Sequence, residues 1–121
     1  MDANNVVLLR GTLTSDPVVR SLPSGGSVTQ LELTMRVADR ATSVPVAVHG
    51  ESIGFVAGDA VVVTGHVSRR FFRAGGVTQS RTEVVAAEVI RATRRRTIER
   101  AVEGVVDLLT GSPGDRLSRE A

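Results

Sequence analysis

The sequence predicts an all-β fold, a five-stranded Greek-key barrel with an added C-terminal α-helix. Three observations carry this expectation. Apolar and polar residues alternate with period two through much of residues 6 to 91. Proline- and glycine-rich punctuation falls between the alternating runs. After Thr93 the apolar spacing changes to three and four, the period of a helix. The 121 residues, 41% hydrophobic and 23% charged, suffice for one packed domain and leave too little for two.

The first strand runs from Val6 to Leu13. Val7, Leu9, Gly11 and Leu13 share one parity, and Val6, Leu8, Arg10 and Thr12 the other, so one face is apolar and the second half-apolar. Ser15-Asp16-Pro17 ends it, Val18-Val19-Arg20 is a short strand, and Leu22-Pro23-Ser24-Gly25-Gly26 is a hairpin turn. On the return strand Thr29, Leu31, Leu33, Met35 and Val37 face in, while Gln30, Glu32, Thr34 and Arg36 form a solvated face available for binding. Ala38 to Ser43 reads as a loop, and Val44 to His49 as a strand whose Pro45 belongs near a start or an edge. Gly50 to Gly58 allows one or two helical turns at most, a plug between strands. Ala60 to Phe72 puts Val61, Val63, Gly65 and Val67 on one face and Thr64, His66, Ser68, Arg70 and Phe72 on the other, with a bulge near Gly65 able to change that parity. Arg73-Ala74-Gly75-Gly76 turns the chain into a last strand, Val77 to Arg91, with Val85, Ala87 and Val89 on one side. The order of long strand, long strand, strand, plug and hairpin pair is that of a small OB-fold barrel.

Ile98, Ala101, Val102, Val105, Val106, Leu108 and Leu109 then form the apolar stripe of a helix that stops near Thr110-Gly111, with Gly104 as its weak point. Arg94-Arg95-Arg96 at its start and Asp107 near its end oppose the macrodipole, so packing must supply its stability. The chain thus divides into a barrel at residues 1–92, a helix at 93–110 and a flexible tail at 111–121.

Composition narrows the chemistry. With no cysteine, disulfides, thiolate nucleophiles and Cys-ligated metals are excluded. Two histidines and no tyrosine or tryptophan leave no basis for a histidine-rich metal site, and no cofactor is expected. The apolar runs are far short of a membrane span, and the opening Met1-Asp2-Ala3-Asn4-Asn5 lacks a signal pattern, so a cytoplasmic protein is expected. All 15 cations are arginine, and they are unevenly placed. Residues 61 to 96 hold eight arginines against two acids, whereas the segments on either side are each net negative. That basic stretch fits either a solvated arginine face or a polyanion-binding surface.

The run Asn5-Val6-Val7-Leu8-Leu9-Arg10-Gly11-Thr12-Leu13, followed by Asp16-Pro17, Val19-Arg20, Pro23, Gly25-Gly26 and Val28, resembles the N-terminal half of the bacterial single-stranded-DNA-binding proteins. Gly58, the strand Val61 to Gly65, and Thr82-Glu83-Val84-Val85 continue the resemblance to about residue 91. It implies an OB fold, single-stranded DNA as partner, a role in replication, repair or recombination, no enzymatic activity, and a homo-oligomer, either a tetramer built from dimers or a dimer. The family holds single strands largely by stacking bases on aromatic rings. Here the ring positions of the resemblance fall near Asp39 and on Ser43, His49 and Phe72, so two of four platforms survive in some form. The family's acidic tail ending in Pro-Phe is replaced by Arg119-Glu120-Ala121, and no tail-mediated recruitment of replication or repair proteins is expected.

Phe72 flanked by Arg70 and Arg73 is the best stacking candidate, because a flat ring beside guanidinium groups suits bases and phosphates together. The plainer alternative has Phe71 and Phe72 bracketing the barrel rim and packing on neighbours. His49 either stacks a base or is simply hydrogen-bonded at a strand end. Arg20, Arg36 and Arg10 suit phosphate contacts, though each alone is equally a solvated charge, and Phe55 reads as core. Arg94 to Arg96 either extend the basic track or pair locally, as Arg95 with Glu99. The helix stripe either covers the barrel or pairs with a second copy, and outward-facing Val6 and Leu8 favour subunit pairing through the first strand. Two readings follow: a binding module that tracks single strands with an arginine-rich groove, or an oligomerising OB subunit with weak or no DNA binding. Serine, histidine and aspartate are present, but none has nucleophile-elbow, phosphate-loop or metal spacing, so no enzyme is expected.

Overall fold

The structure, a computed structural model, describes residues 4–50 and 54–111. Six strands, β1 (Val7–Leu13), β2 (Val18–Ser21), β3 (Ser27–Val37), β4 (Arg40–His49), β5 (Ala60–Ala74) and β6 (Val77–Arg91), precede one helix, α1 (Arg95–Thr110). They hydrogen-bond in the order β1-β5-β6-β4-β3-β2. β1 also pairs with β3 at Thr12 and Leu13, which closes β1, β3, β4, β6 and β5 into a five-stranded barrel with β2 laid along β3. Every pairing is antiparallel except β4 with β6, which is parallel at Val46 and Ala47. This is the OB fold that the strand order predicts.

Alternate positions of the barrel strands supply the core. Leu13, Leu31, Leu33, Val46, Val61, Val63 and Val84 form one buried cluster, each contributing about 1.5 to 3 kcal/mol by leaving water. β1 crosses from β5 to β3 at Gly11, where a β-carbon would stand 2.5 Å from the Thr34 carbonyl oxygen, so only glycine permits the approach that closes the barrel.

Three local expectations need correction. The segment Ala38 to Ser43 is a two-residue turn rather than a loop: Ala38 and Asp39 take φ of 50° and 68°, and β4 begins at Arg40. Positive φ at both central residues matches the twist of a tight hairpin. Pro45 consequently lies inside β4, opposite Glu32 and one residue before the rungs to β6 begin, where its missing N–H interrupts no pairing with that strand. The bulge at Gly65 is present, but the extra residue is on β6: Thr64 faces Glu88 and Gly65 faces Ala86, leaving Ala87 unmatched. The bulge divides the expected face of Val85, Ala87 and Val89, and the residues on the core are Val84, Ala86 and Val89.

Residues 51–53 of the expected plug lie outside the described residues, and 54–59 form bends and turns rather than helix. Side chains hold this loop. Asp16 Oδ1 accepts the Ala57 N–H at 2.8 Å, and Asp59 Oδ2 accepts the Val56 N–H at 3.0 Å and the Arg91 guanidinium at 3.2 Å. Arg91 also donates to the Gly54 carbonyl and lies 4.7 Å over the ring of Phe55, which packs half-buried against the core. Asp16 therefore ties the segment between β1 and β2 to this loop.

α1 ends as expected at Gly111, whose φ of 64° forms a left-handed cap, and Arg95 pairs with Glu99 at 3.3 Å. No residue of the helix is buried. It meets the barrel at β5 across a groove of about 560 Å³ between Thr97, Ala101 and Gly104 on one side and Thr64, Gly65 and His66 on the other. The expected tail beyond 111 lies outside the described residues, and among the described ones no helix is long and apolar enough to cross a membrane.

Candidate nucleic-acid interface

β5 and β6 continue past the barrel as a two-stranded arm. Beyond the β4 rungs at Val84 and Val85, Ser68 to Ala74 pair only with Val77 to Glu83, about 20 Å of ribbon ending in the Gly75-Gly76 turn. At its root the Asn5 side chain donates from Nδ2 to the Val67 carbonyl at 2.7 Å and accepts the Val67 N–H on Oδ1 at 2.9 Å. One amide side chain thus replaces the backbone rung that β1, whose pairing ends at Val7 with Gly65, no longer supplies.

Strand register sorts the candidate residues. Arg20 lies opposite Val28, which lies opposite His49, and this row crosses the outer face of β2, β3 and β4. The neighbouring row runs Val18, Gln30, Ala47, Val85 and His66. Along the same outer face the arm presents Arg70 opposite Arg81 and Phe72 opposite Gln79. Leu22, Val28, Ala47, His49, Arg70 and Glu83 line a shallow groove of about 200 Å³ where the arm meets the barrel. Its floor is apolar, and Arg70 brings a guanidinium group to its rim. Glu83 is buried and its carboxylate stands 3.7 Å from the Arg70 guanidinium, so that arginine is partly neutralised in the free protein.

Arg20, His49, Arg70 and Phe72 are thus brought to one face. The other three candidates lie elsewhere. Arg73 is on the opposite face of the arm, where its guanidinium donates to the Gly76 carbonyl at 2.9 Å and closes the turn. Arg36 shares the outer face of β3 but sits eight residues beyond Val28, opposite Ala41 near the far turn, about 26 Å away. Arg10 belongs to the row of Val62 and Ile90, outside the groove. Phe72 is 40% exposed and Phe71 67%, so neither ring is packed into the barrel rim. Sequence reasoning missed Arg81, Gln79 and Leu22. The signal for the first two was available, because a two-residue Gly75-Gly76 turn fixes which residues face Arg70 and Phe72. Among the described residues no group of three or more histidine, aspartate and glutamate side chains is placed to hold a metal ion.

The model of the single-strand binding protein family matches residues 4–92. No curated protein matches the chain. Among solved structures the chain is similar to the Plasmodium falciparum SSB complex with ssDNA, with a TM-score of 0.65 at 16% identity, covering 75% of this chain and 96% of that one. At that identity the likeness establishes the barrel fold; the family match spans the barrel and leaves α1 outside it.

Proposed function

Because this chain belongs to the single-strand binding protein family, a family of binding proteins rather than enzymes, we propose that it holds single-stranded DNA along the outer face of β2, β3, β4 and the arm, in the cytoplasm and in support of replication, repair or recombination. The observation that supports this reading best is that Arg20, His49, Arg70 and Phe72 share one outer face from three strands, β2, β4 and β5, with His49 and Arg70 lining the groove. Phe72 offers a face for a base. Arg20, Arg70 and Arg81 offer charge for phosphates, and the apolar floor of Val28, Ala47 and Val85 lets a base lie flat without stranding a polar group.

With few rings, phosphate contacts carry a larger share of the affinity. Titration of a labelled oligo-dT strand over a range of salt, with duplex as control, tests this. Each phosphate neutralised contributes a slope of about 0.7 on a log–log plot for single strands. Phe72→Ala weakens binding by about 1 to 3 kcal/mol with the melting temperature unchanged, since the ring supports no core. Arg70→Ala lowers affinity and takes about 0.7 from the slope. The second reading, an oligomerising subunit with weak or no DNA binding, draws on the unburied apolar stripe of α1 and on Leu8, 43% exposed on β1. A flat salt response, with oligo-dT binding unmoved in a folded Phe72→Ala protein, would leave only that reading.

A further inference from the structure

The arm has a second face. Residues directly opposite in the ladder share a side, so Arg69, Phe71 and Arg73 project away from the groove together with Thr82, Ser80 and Thr78. Phe71 is the most exposed large hydrophobic residue of the described chain, tied with Val37 at 67%. Its flanking positions two residues away on β5 are both arginine, and the three residues opposite carry only short hydroxyl side chains. This face holds no carboxylate. The groove face does, since Glu83 engages Arg70 there, whereas Arg69 forms no ion pair or hydrogen bond among the described residues. A single exposed phenylalanine is ordinary on a protein surface; a ring bracketed by unneutralised guanidinium groups, on a ribbon with hydroxyl donors beside it, has the chemistry that takes a base and its phosphates. A hydrophobic partner surface needs contiguous apolar area, and this face offers one ring among polar groups.

Resting on the reading of the groove as a single-strand site, we propose that the arm binds single-stranded nucleic acid on both faces: one segment lies in the groove over Phe72, and a second stacks on Phe71 between Arg69 and Arg73. The two rings are neighbours in sequence but point to opposite sides of a two-stranded ribbon. A strand that uses both must pass around the arm, or two separate segments must occupy it. Strand length therefore separates the two faces.

The test measures affinity for two labelled oligo-dT strands, one within the roughly 4 to 16 nucleotides that an OB barrel covers and one several times longer. Phe71→Ala and Arg69→Ala are each expected to leave short-strand affinity within about twofold, to weaken the long strand by about 5- to 100-fold, and to lower the nucleotides bound per protomer at saturation. Phe72→Ala weakens both strands. An equal loss at both lengths, or no loss at either, overturns the second face, as does a change in mass by light scattering, which would assign Phe71 to contact with another copy. If the wild-type protein binds neither strand, the groove reading itself falls, an outcome distinct from a wild type that binds both lengths with no selective effect of Phe71.

Discussion

A β-carbon at position 65 would stand 2.0 Å from the Val85 carbonyl oxygen and 2.9 Å from the Ala86 Cα, all backbone that cannot swing aside. Gly65→Ala is therefore expected to destabilise the barrel by about 3 kcal/mol or more, seen as a large drop in melting temperature. Gly25→Ala, where nothing crowds the site but φ is +95°, costs about 1 to 2 kcal/mol. Gly25 reads in sequence as a turn residue and Gly65 as a strand position beside a bulge. Period two located an irregularity near Gly65 but not the strand that carries the extra residue, because the bulge is a property of the pair of strands. A different kind of residue is Glu83, whose carboxylate competes with phosphate for Arg70. Glu83→Gln should release Arg70 and raise oligo-dT affinity at low salt by up to about fivefold, the equivalent of a partly exposed ion pair of up to about 1 kcal/mol; unchanged affinity would place Arg70 outside the phosphate path.

Among the elements, the arm was the most legible and the β3–β4 hairpin the least. Gly75 and Gly76 announce a turn that favours positive φ; β6 runs to the limits expected of it, and β5 continues two residues past the expected Phe72 to Ala74. Ala38 and Asp39 adopt the same left-handed region without glycine, so the chain there reads as a loop and β4 is shortened on paper by four residues. The site shows the same division. Register follows from turns, so Arg70 and Phe72 could be placed on one face from sequence, but the row of Arg20, Val28 and His49 depends on three strands meeting across two hairpins. Arg10 and Arg36 carry the right charge on outward positions, and only the barrel's curvature and length separate them from the groove.

At the scale of the whole molecule, α1 is a 16-residue amphipathic helix that buries none of its residues, with Val106, Leu108 and Leu109 each about half exposed. An isolated helix of this length is marginal in water unless its apolar face is covered. The upper edge of β1, from Val7 to Arg10, pairs on one side only, and Leu8 projects from it. The protein is accordingly expected to be a dimer or tetramer at tens of micromolar (~10–50 μM) by light scattering. A Val106→Glu, Leu109→Glu double variant should lower the mass if α1 supplies an interface, and Leu8→Glu if β1 does; monomers in the wild type would contradict the expectation for both. The macrodipole mismatch read from Arg94 to Arg96 had already indicated that this helix depends on packing, although sequence offered no means of choosing its partner.

The arm is a cantilever whose root is held on both strands, by the clasp of Asn5 on Val67 of β5 and by β4 on Val84 and Val85 of β6. Asn5→Ala moves the support of β5 back to Gly65, while β6 stays held by β4 at Val84 and Val85. Hydrogen exchange at the Val67 amide should accelerate while that of the barrel amides holds. A ribbon clamped at its root resists bending, so a strand that bears on it meets a stiff post and must itself curve. Loosening one amide side chain would transfer that compliance from the nucleic acid to the protein.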